Sequence, residues 1–183
     1  PAAVKVFVDF VDPRVHASVA HAAAEKGQLA AMKLLHSLGA DLDIRSTEPG
    51  IGGTPSGIAA QEGRTEMIQL LADLRADVHK LRLDGSLPLH ASAQCGHVST
   101  TRLLIDLRSG VNAQDSVGRS PLFYAADQGA RVSIFTTLIE LRAVIDLGAV
   151  DGITPIAIAA QYDHDETVRL LAHMGARLTL THV

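Results

Sequence analysis

One motif recurs along this chain at an almost constant interval, and that interval decides what the chain can fold into. Pro55, Pro88, Pro121 and Pro155 stand 33, 33 and 34 residues apart, and Gly27, Gly63, Gly96 and Gly129 stand 36, 33 and 33 apart. The clearest copy spans residues 111–129, V-N-A-Q-D-S-V-G-R-S-P-L-F-Y-A-A-D-Q-G. It contains a turn at Asp115 to Gly118, a helix start at Ser120 and Pro121, a short apolar helical run and a terminating glycine. A period of this size marks a solenoid, in which each supersecondary unit buries its apolar face only against its neighbours.

The unit is a turn, a short helix, a tight loop, a longer helix and an extended arm leading to the next turn. Proline fits the first helical turn because the N–H it lacks has no partner there. Thr or Ser just before it accepts from the orphan N–H groups. A pair of alanines lets two helices approach closely, and the glycine after the helix tolerates positive φ. Ser18 to Gly27 aligns with Thr54 to Gly63, Leu87 to Gly96 and Ser120 to Gly129. The longer helices carry apolar residues at helical spacing: Met32, Leu34, Leu35 and Leu38; Met67, Ile68, Leu70, Leu71 and Leu74; Thr101, Leu103, Leu104 and Leu107; Ile134, Leu138, Ile139 and Leu141; Val168, Leu170, Leu171 and Met174.

These residues resemble the ankyrin repeat family. The matching helix starts are Gly52-Gly-Thr-Pro with Ala59-Ala60, Gly85-Ser-Leu-Pro-Leu-His-Ala-Ser-Ala, Gly118-Arg-Ser-Pro-Leu and Gly152-Ile-Thr-Pro-Ile. The matching arms are Gly39-Ala-Asp-Leu-Asp, Val111-Asn-Ala-Gln-Asp and Gly175-Ala-Arg-Leu. One match is weak, but five in register are strong. The resemblance implies an all-α helix-turn-helix solenoid with β-hairpin-like arms, covering residues 16–183 in five repeats at about 16–49, 50–82, 83–115, 116–149 and 150–183.

Residues 1–15 belong to no repeat and are expected to form a cap or a linker. Val4, Val6, Val8 and Phe10 alternate, which favours a strand over 4–11. Asp12-Pro13 then suggests a cap and first turn of a helix running to Lys26. Residue 1 is Pro rather than Met, so the chain is expected to be an excised piece of something longer.

Three departures from the repeat stand out. Residues 46–53, S-T-E-P-G-I-G-G, carry three extra residues in the first arm, read as a tolerated surface insertion, with a mobile Gly-rich finger as the alternative. Repeat four gains one residue between Gly129 and Leu138, expected in the loop rather than as a helical bulge. The glycine that should end the longer helix is Arg75, Arg108 or Arg142 in the middle repeats. A left-handed Arg costs roughly 1 kcal/mol, partly offset by its charge facing the last helical carbonyls. An acid stands two positions before each (Asp73, Asp106, Glu140), so stacking predicts parallel acidic and basic ladders that neutralise one another.

Nothing in the sequence points to chemistry. The phosphate-binding, dinucleotide-binding and nucleophile-elbow motifs are absent. His21 and His90 occupy the signature position, where the resemblance implies a structural hydrogen bond; Gly57, Phe123 and Ala157 fill it elsewhere. Cys95 and His97 make too few ligands for zinc, and His164-Asp165-Glu166 fits a helix start. No catalytic, cofactor or metal residue is therefore assigned. A net charge of -4 argues against nucleic acid. A single cysteine fits a reducing intracellular compartment, and no apolar run reaches membrane-spanning length.

What remains is a binding surface for another protein. The resemblance implies that it lies on the concave side, along the arm tips and the exposed ends of the first helices. In register these are Ile51, Leu83, Asp84, Ser86, Ser116, Val117, Arg119, Val150, Asp151 and Ile153 on the tips, with Gln94, Cys95, Asp127, Gln128, Gln161 and Tyr162 on the helices. The apolar tips interrupt an otherwise polar surface, as an interface does, and Tyr162 is the best single anchor. The alternatives are a recognition or regulatory domain of a larger enzyme or channel, and a structural subunit fixed in an assembly.

Overall fold

Each Pro-containing start becomes a helix, and each is followed by a longer one running back beside it. The computed structural model describes residues 11–12, 17–46 and 53–178. Two short strands, β1 (Val11–Asp12) and β2 (Ala17–Ser18), precede α1 (Val19–Lys26) and α2 (Leu29–Ser37). Then come α3 (Pro55–Gln61) and α4 (Thr65–Asp73), α5 (Pro88–Gln94) and α6 (Val98–Asp106), α7 (Pro121–Asp127) and α8 (Val132–Glu140), and α9 (Pro155–Gln161) and α10 (Asp165–His173). The odd-numbered helices stack on one another in order, and the even-numbered ones form a second layer behind them. This is the expected all-α solenoid of five helical pairs.

Alanine makes the inner layer possible. Ala24, Ala59, Ala60, Ala93, Ala125, Ala126 and Ala159 have no accessible surface, so neighbouring first helices meet nearly backbone to backbone. The outer layer supplies volume through Met32, Met67, Ile68, Leu71, Leu104, Ile134, Phe135, Leu138 and Leu171, all under 2% exposed. Each large side chain buried this way stabilises by about 1.5–3 kcal/mol. Leu34 and Leu38, expected on the buried face of α2, are exposed instead; Met32 and Leu35 alone bury that helix.

The arms close as hairpins. Arg82 N–H donates to Ser86 O, Asp115 N–H to Arg119 O and Ala149 N–H to Ile153 O, at 2.8–3.1 Å. In the first arm Ser46 N–H donates to Gly53 O at 2.7 Å, across the expected insertion, whose residues 47–52 lie outside the described ones. Successive tips bond to each other through backbone: Ser116 N–H donates to Asp84 O and Val150 N–H to Val117 O. Gly118 is required here twice over. Its φ is 82°, and a Cβ would lie 2.8 Å from the Val150 nitrogen.

The extra residue of repeat four lengthens the loop, as expected: four residues separate α7 from α8, against three in the other pairs from repeat two onward. Arg75, Arg108 and Arg142 hold φ of 66°, 79° and 73°, the left-handed conformation expected of them. Asp163, at the position of Gly129 one repeat later, does the same at 57°, which the sequence reading missed.

Two expectations are corrected. The helix expected to run unbroken from Asp12-Pro13 to Lys26 spans only Val19–Lys26 among the described residues. Ala17 and Ser18 are extended and pair antiparallel with Asp12 and Val11. Ser18 then caps α1, its N–H donating to His21 Nδ1 at 3.0 Å. Of the strand expected over 4–11, only Val11 falls among the described residues. The self-neutralising ladder does not form either. Among the described residues Arg75, Arg108 and Arg142 make no ion pair; Asp73 accepts from Gln69 (2.9 Å) and Glu140 pairs with Arg102 (2.6 Å). A residue two places along a helix end points away from its acid, whereas one on the adjacent helix can face it.

Since the left-handed arginines gain nothing from ion pairs, Arg108→Gly is expected to raise stability by about 0.5–1 kcal/mol, measured as a higher urea midpoint. Gly129→Ala is expected to lower it by about 2 kcal/mol or more. There φ is 58° and a Cβ would sit 2.7 Å from the His164 ring.

Candidate partner-binding groove

Between the third and fourth arms the stacking leaves a groove of about 530 Å³. The repeat-four side supplies Val117, Arg119, Phe123 and Asp127, and the repeat-five side Ala149, Val150, Asp151, Ile153, Ile158, Gln161 and Tyr162. Eight of these were expected from register: Val117, Arg119, Asp127, Val150, Asp151, Ile153, Gln161 and Tyr162. Phe123 and Ile158, buried in the first helices, form the floor and were not foreseen. Phe123 stands where a signature His stands in other repeats, so the substitution that removes a polar ring there also makes an apolar floor.

The remaining candidates divide. Leu83, Ser116, Cys95 and Gln128 are exposed and Asp84 and Gln94 half-buried, all beyond the groove's lining. Ser86 is corrected: it is 2% exposed, with its hydroxyl donating to Asp84 Oδ1 at 2.7 Å, so it closes the turn and offers nothing to a partner. Ile51 lies outside the described residues. Ile153 is half-buried and packs on the second hydrophobic cluster, so it serves both fold and groove. Val150, at 82%, is the most exposed apolar residue among those described, and Tyr162 is 54% exposed. The Cys95 thiol is pushed up, first by burial and then by Glu62 beside it, which disfavours a reactive thiolate.

One wall of the groove is fixed by a polar cluster. The buried Asp115 carboxylate accepts from Val117 N–H (3.0 Å) and Arg119 N–H (2.8 Å) through Oδ1, and from Arg119 Nε (2.7 Å) and Tyr124 Oη (2.9 Å) through Oδ2. Arg119 also donates through Nη2 to Tyr124 Oη (3.1 Å) and lies over the Tyr124 ring at 4.9 Å. His90 meets that ring edge-on at 5.1 Å. Its Nδ1 accepts from Leu87 N–H, so its Nε2–H donates, to Ala113 O and Arg119 O. Burial would raise the Asp115 pKa, but its hydrogen bonds from Arg119, Tyr124 and Val117 outweigh burial and hold it below the usual value. Burial raises Tyr124, with its hydrogen bond to Asp115 adding to the shift, and lowers His90 against the pull of its carbonyl partners. Tyr124 escaped the sequence reading because nothing in one repeat signals that its hydroxyl will meet an aspartate from the arm before it.

Other histidines are engaged in the stack. His21 Nε2 lies 3.0 Å from Gly53 O, His97 Nε2 2.9 Å from Gln61 O and His164 Nε2 2.9 Å from Asp127 O. His79 bonds Leu107 O (2.8 Å) and Ser109 Oγ (2.7 Å).

A family model described as "Ankyrin repeats (3 copies)" matches residues 20–115, 57–148 and 107–182. No curated protein matches the chain.

Two pH regimes are expected in thermal melts. His21 and His90 have folded pKa values below their ordinary value near 6.5. As pH falls past about 6.5 the unfolded chain takes up protons first, so their contribution is complete above that pH and is lost below it. Asp115 is depressed, so its contribution is complete above its unfolded value of about 3.9 and is lost as pH falls through the folded one. Asp115→Asn should therefore destabilise by about 2–4 kcal/mol at neutral pH, a difference that shrinks toward zero in strong acid.

Proposed function

We propose, on the premise that this chain belongs to the ankyrin repeat family, that it is a protein-binding module whose partner seats in the groove between arms three and four. Ankyrin repeats bind other proteins and typically carry no catalytic activity. The observation that carries the finer reading is Val150 at 82% exposure facing Tyr162 across an apolar floor. A folded protein gains nothing by exposing such side chains, but a partner that covers them gains about 25 cal/mol for each Å² of apolar surface removed from water. A concave, mostly apolar hollow with a few polar groups on its rim is the usual form of a recognition site.

One further point supports binding rather than chemistry. Both ring nitrogens of His21, His79 and His90, and Nε2 of His97 and His164, are engaged by the fold. No described helix is long and apolar enough to cross a membrane. On this reading residues 16–183 form the binding domain, residues 1–15 act as a cap or linker, and the protein works in a reducing intracellular compartment.

Affinity capture with cross-linking from the native source tests the proposal. Val150→Glu and Tyr162→Ala are each expected to weaken capture tenfold or more while leaving the melting temperature unchanged. Ile153→Ala is expected to lower the melting temperature, because that side chain also packs on the core. Retention of partner by the Val150 and Tyr162 variants places the interface elsewhere.

A further inference from the structure

Resting on that reading of the groove, we infer the chemistry of its occupant: an extended segment of the partner that presents one large aliphatic or aromatic side chain flanked by lysine or arginine. The apolar half of the inference comes from the floor and walls. Phe123 and Ile158 are 5% and 7% exposed at the bottom, with Val150 and Tyr162 above them. A side chain entering between them exchanges water for carbon on every side.

The charged half comes from bookkeeping of ions at the rim. Asp127 and Asp151 both line the groove, and among the described residues neither makes an ion pair. Each carboxylate has only a neutral partner: Gln128 Nε2 donates to Asp127 Oδ2 at 3.1 Å, and Ile153 N–H to Asp151 Oδ1 at 3.0 Å. The one cation in the lining, Arg119, is cancelled by Asp115 at 2.7 Å and held over Tyr124. An acidic segment would have to draw Arg119 away from a carboxylate with four donors, which leaves a buried charge uncompensated. A basic segment meets two unpaired carboxylates and disturbs nothing. Potentials that complement in this way set specificity and association rate.

The test is selection of a random peptide library, about twelve residues long, against the whole chain. The expected consensus has Leu, Ile, Phe or Met with Lys or Arg within two positions. Against the selected peptides, the double variant Asp127→Asn with Asp151→Asn is expected to bind about tenfold more weakly at low salt. That loss should fade at high salt as screening removes the charge contribution. Each asparagine keeps one acceptor oxygen, enough for the single bond that each aspartate accepts, so the turns remain, and an unchanged melting temperature confirms it. Enrichment of acidic residues, enrichment of apolar residues without a flanking preference, or no enrichment overturns the inference. So does a double variant that binds as the parent does. If Val150→Glu abolishes peptide binding while the double asparagine variant does not, the groove stands and its charge preference falls; if neither matters, both fall.

Discussion

Hydrogen bonds that cross from one repeat to the next hold this molecule in register, because a helical pair of this size cannot bury its own apolar face. They form three rows. At the tips the bonds are backbone to backbone, from Ser116 to Asp84 and from Val150 to Val117. At the loops a side chain reaches back to the end of the preceding first helix: Arg64 to Glu25 O, His97 to Gln61 O and His164 to Asp127 O. Along the arms a side chain reaches forward. Asp43 accepts from Asp77 N–H, His79 bonds Leu107 O, Asn112 bonds Val144 N–H and Arg142 O, and Asp146 accepts from Arg177 N–H. Each such bond is worth about 0.5–1.5 kcal/mol, and in a linear stack the sum at one boundary decides whether the two halves stay joined.

The boundary between repeats three and four is built differently from the rest. Its longer loop takes Arg131 into an extended conformation, and among the described residues Arg131 makes no reach-back bond like those of Arg64, His97 and His164. The buried core also divides near this point into one cluster running to Leu104 and another starting at Ala93. Polar side chains take up part of the interior of repeat three, with Ser92 bonded to Thr101. Other bonds offset these losses: Arg102 to Glu140 and Thr137, both bonds of Asn112, and the Asp115, Arg119, Tyr124 and His90 cluster. Because that cluster is buried and its members satisfy one another, it also fixes the Arg119 wall of the groove before any partner arrives. A wall fixed in advance reduces the ordering that binding would otherwise require.

The features legible in the sequence are those set within a single repeat. Proline placement, the positive φ of Arg75, Arg108 and Arg142, and the lengthened loop after Gly129 follow from local backbone chemistry. Most of what the sequence hid depends on what the next repeat brings. His79, Asn112, Asp43 and Asp146 occupy one position and do one job, yet an aspartate, a histidine and an asparagine share no composition signal. Ser86 and Ser116 lie on neighbouring tips at different places in the turn, one just after its glycine and one two before it; the first is buried and the second exposed. The apolar row along the tips was visible, but its gathering into a single groove needed Phe123 and Ile158 below and the spacing of arms three and four beside it.

The location of the groove follows from how those tips are held. Val117 and Val150 project outward while their backbones bond to each other, so their exposure costs the stack no hydrogen bond. Leu83, at 62% exposure, lies beyond that lining, and the hollow between arms one and two is lined instead by Glu25, Glu62 and Arg82, whose buried Nε has no hydrogen-bond partner among the described residues. Two ends of one face thus differ in kind. The early repeats present charge around a small hollow, and the late repeats present carbon with two unpaired carboxylates at its edge. A partner that binds by burying apolar surface can do so in the late groove, and the charges around that place discriminate among segments that are equally apolar.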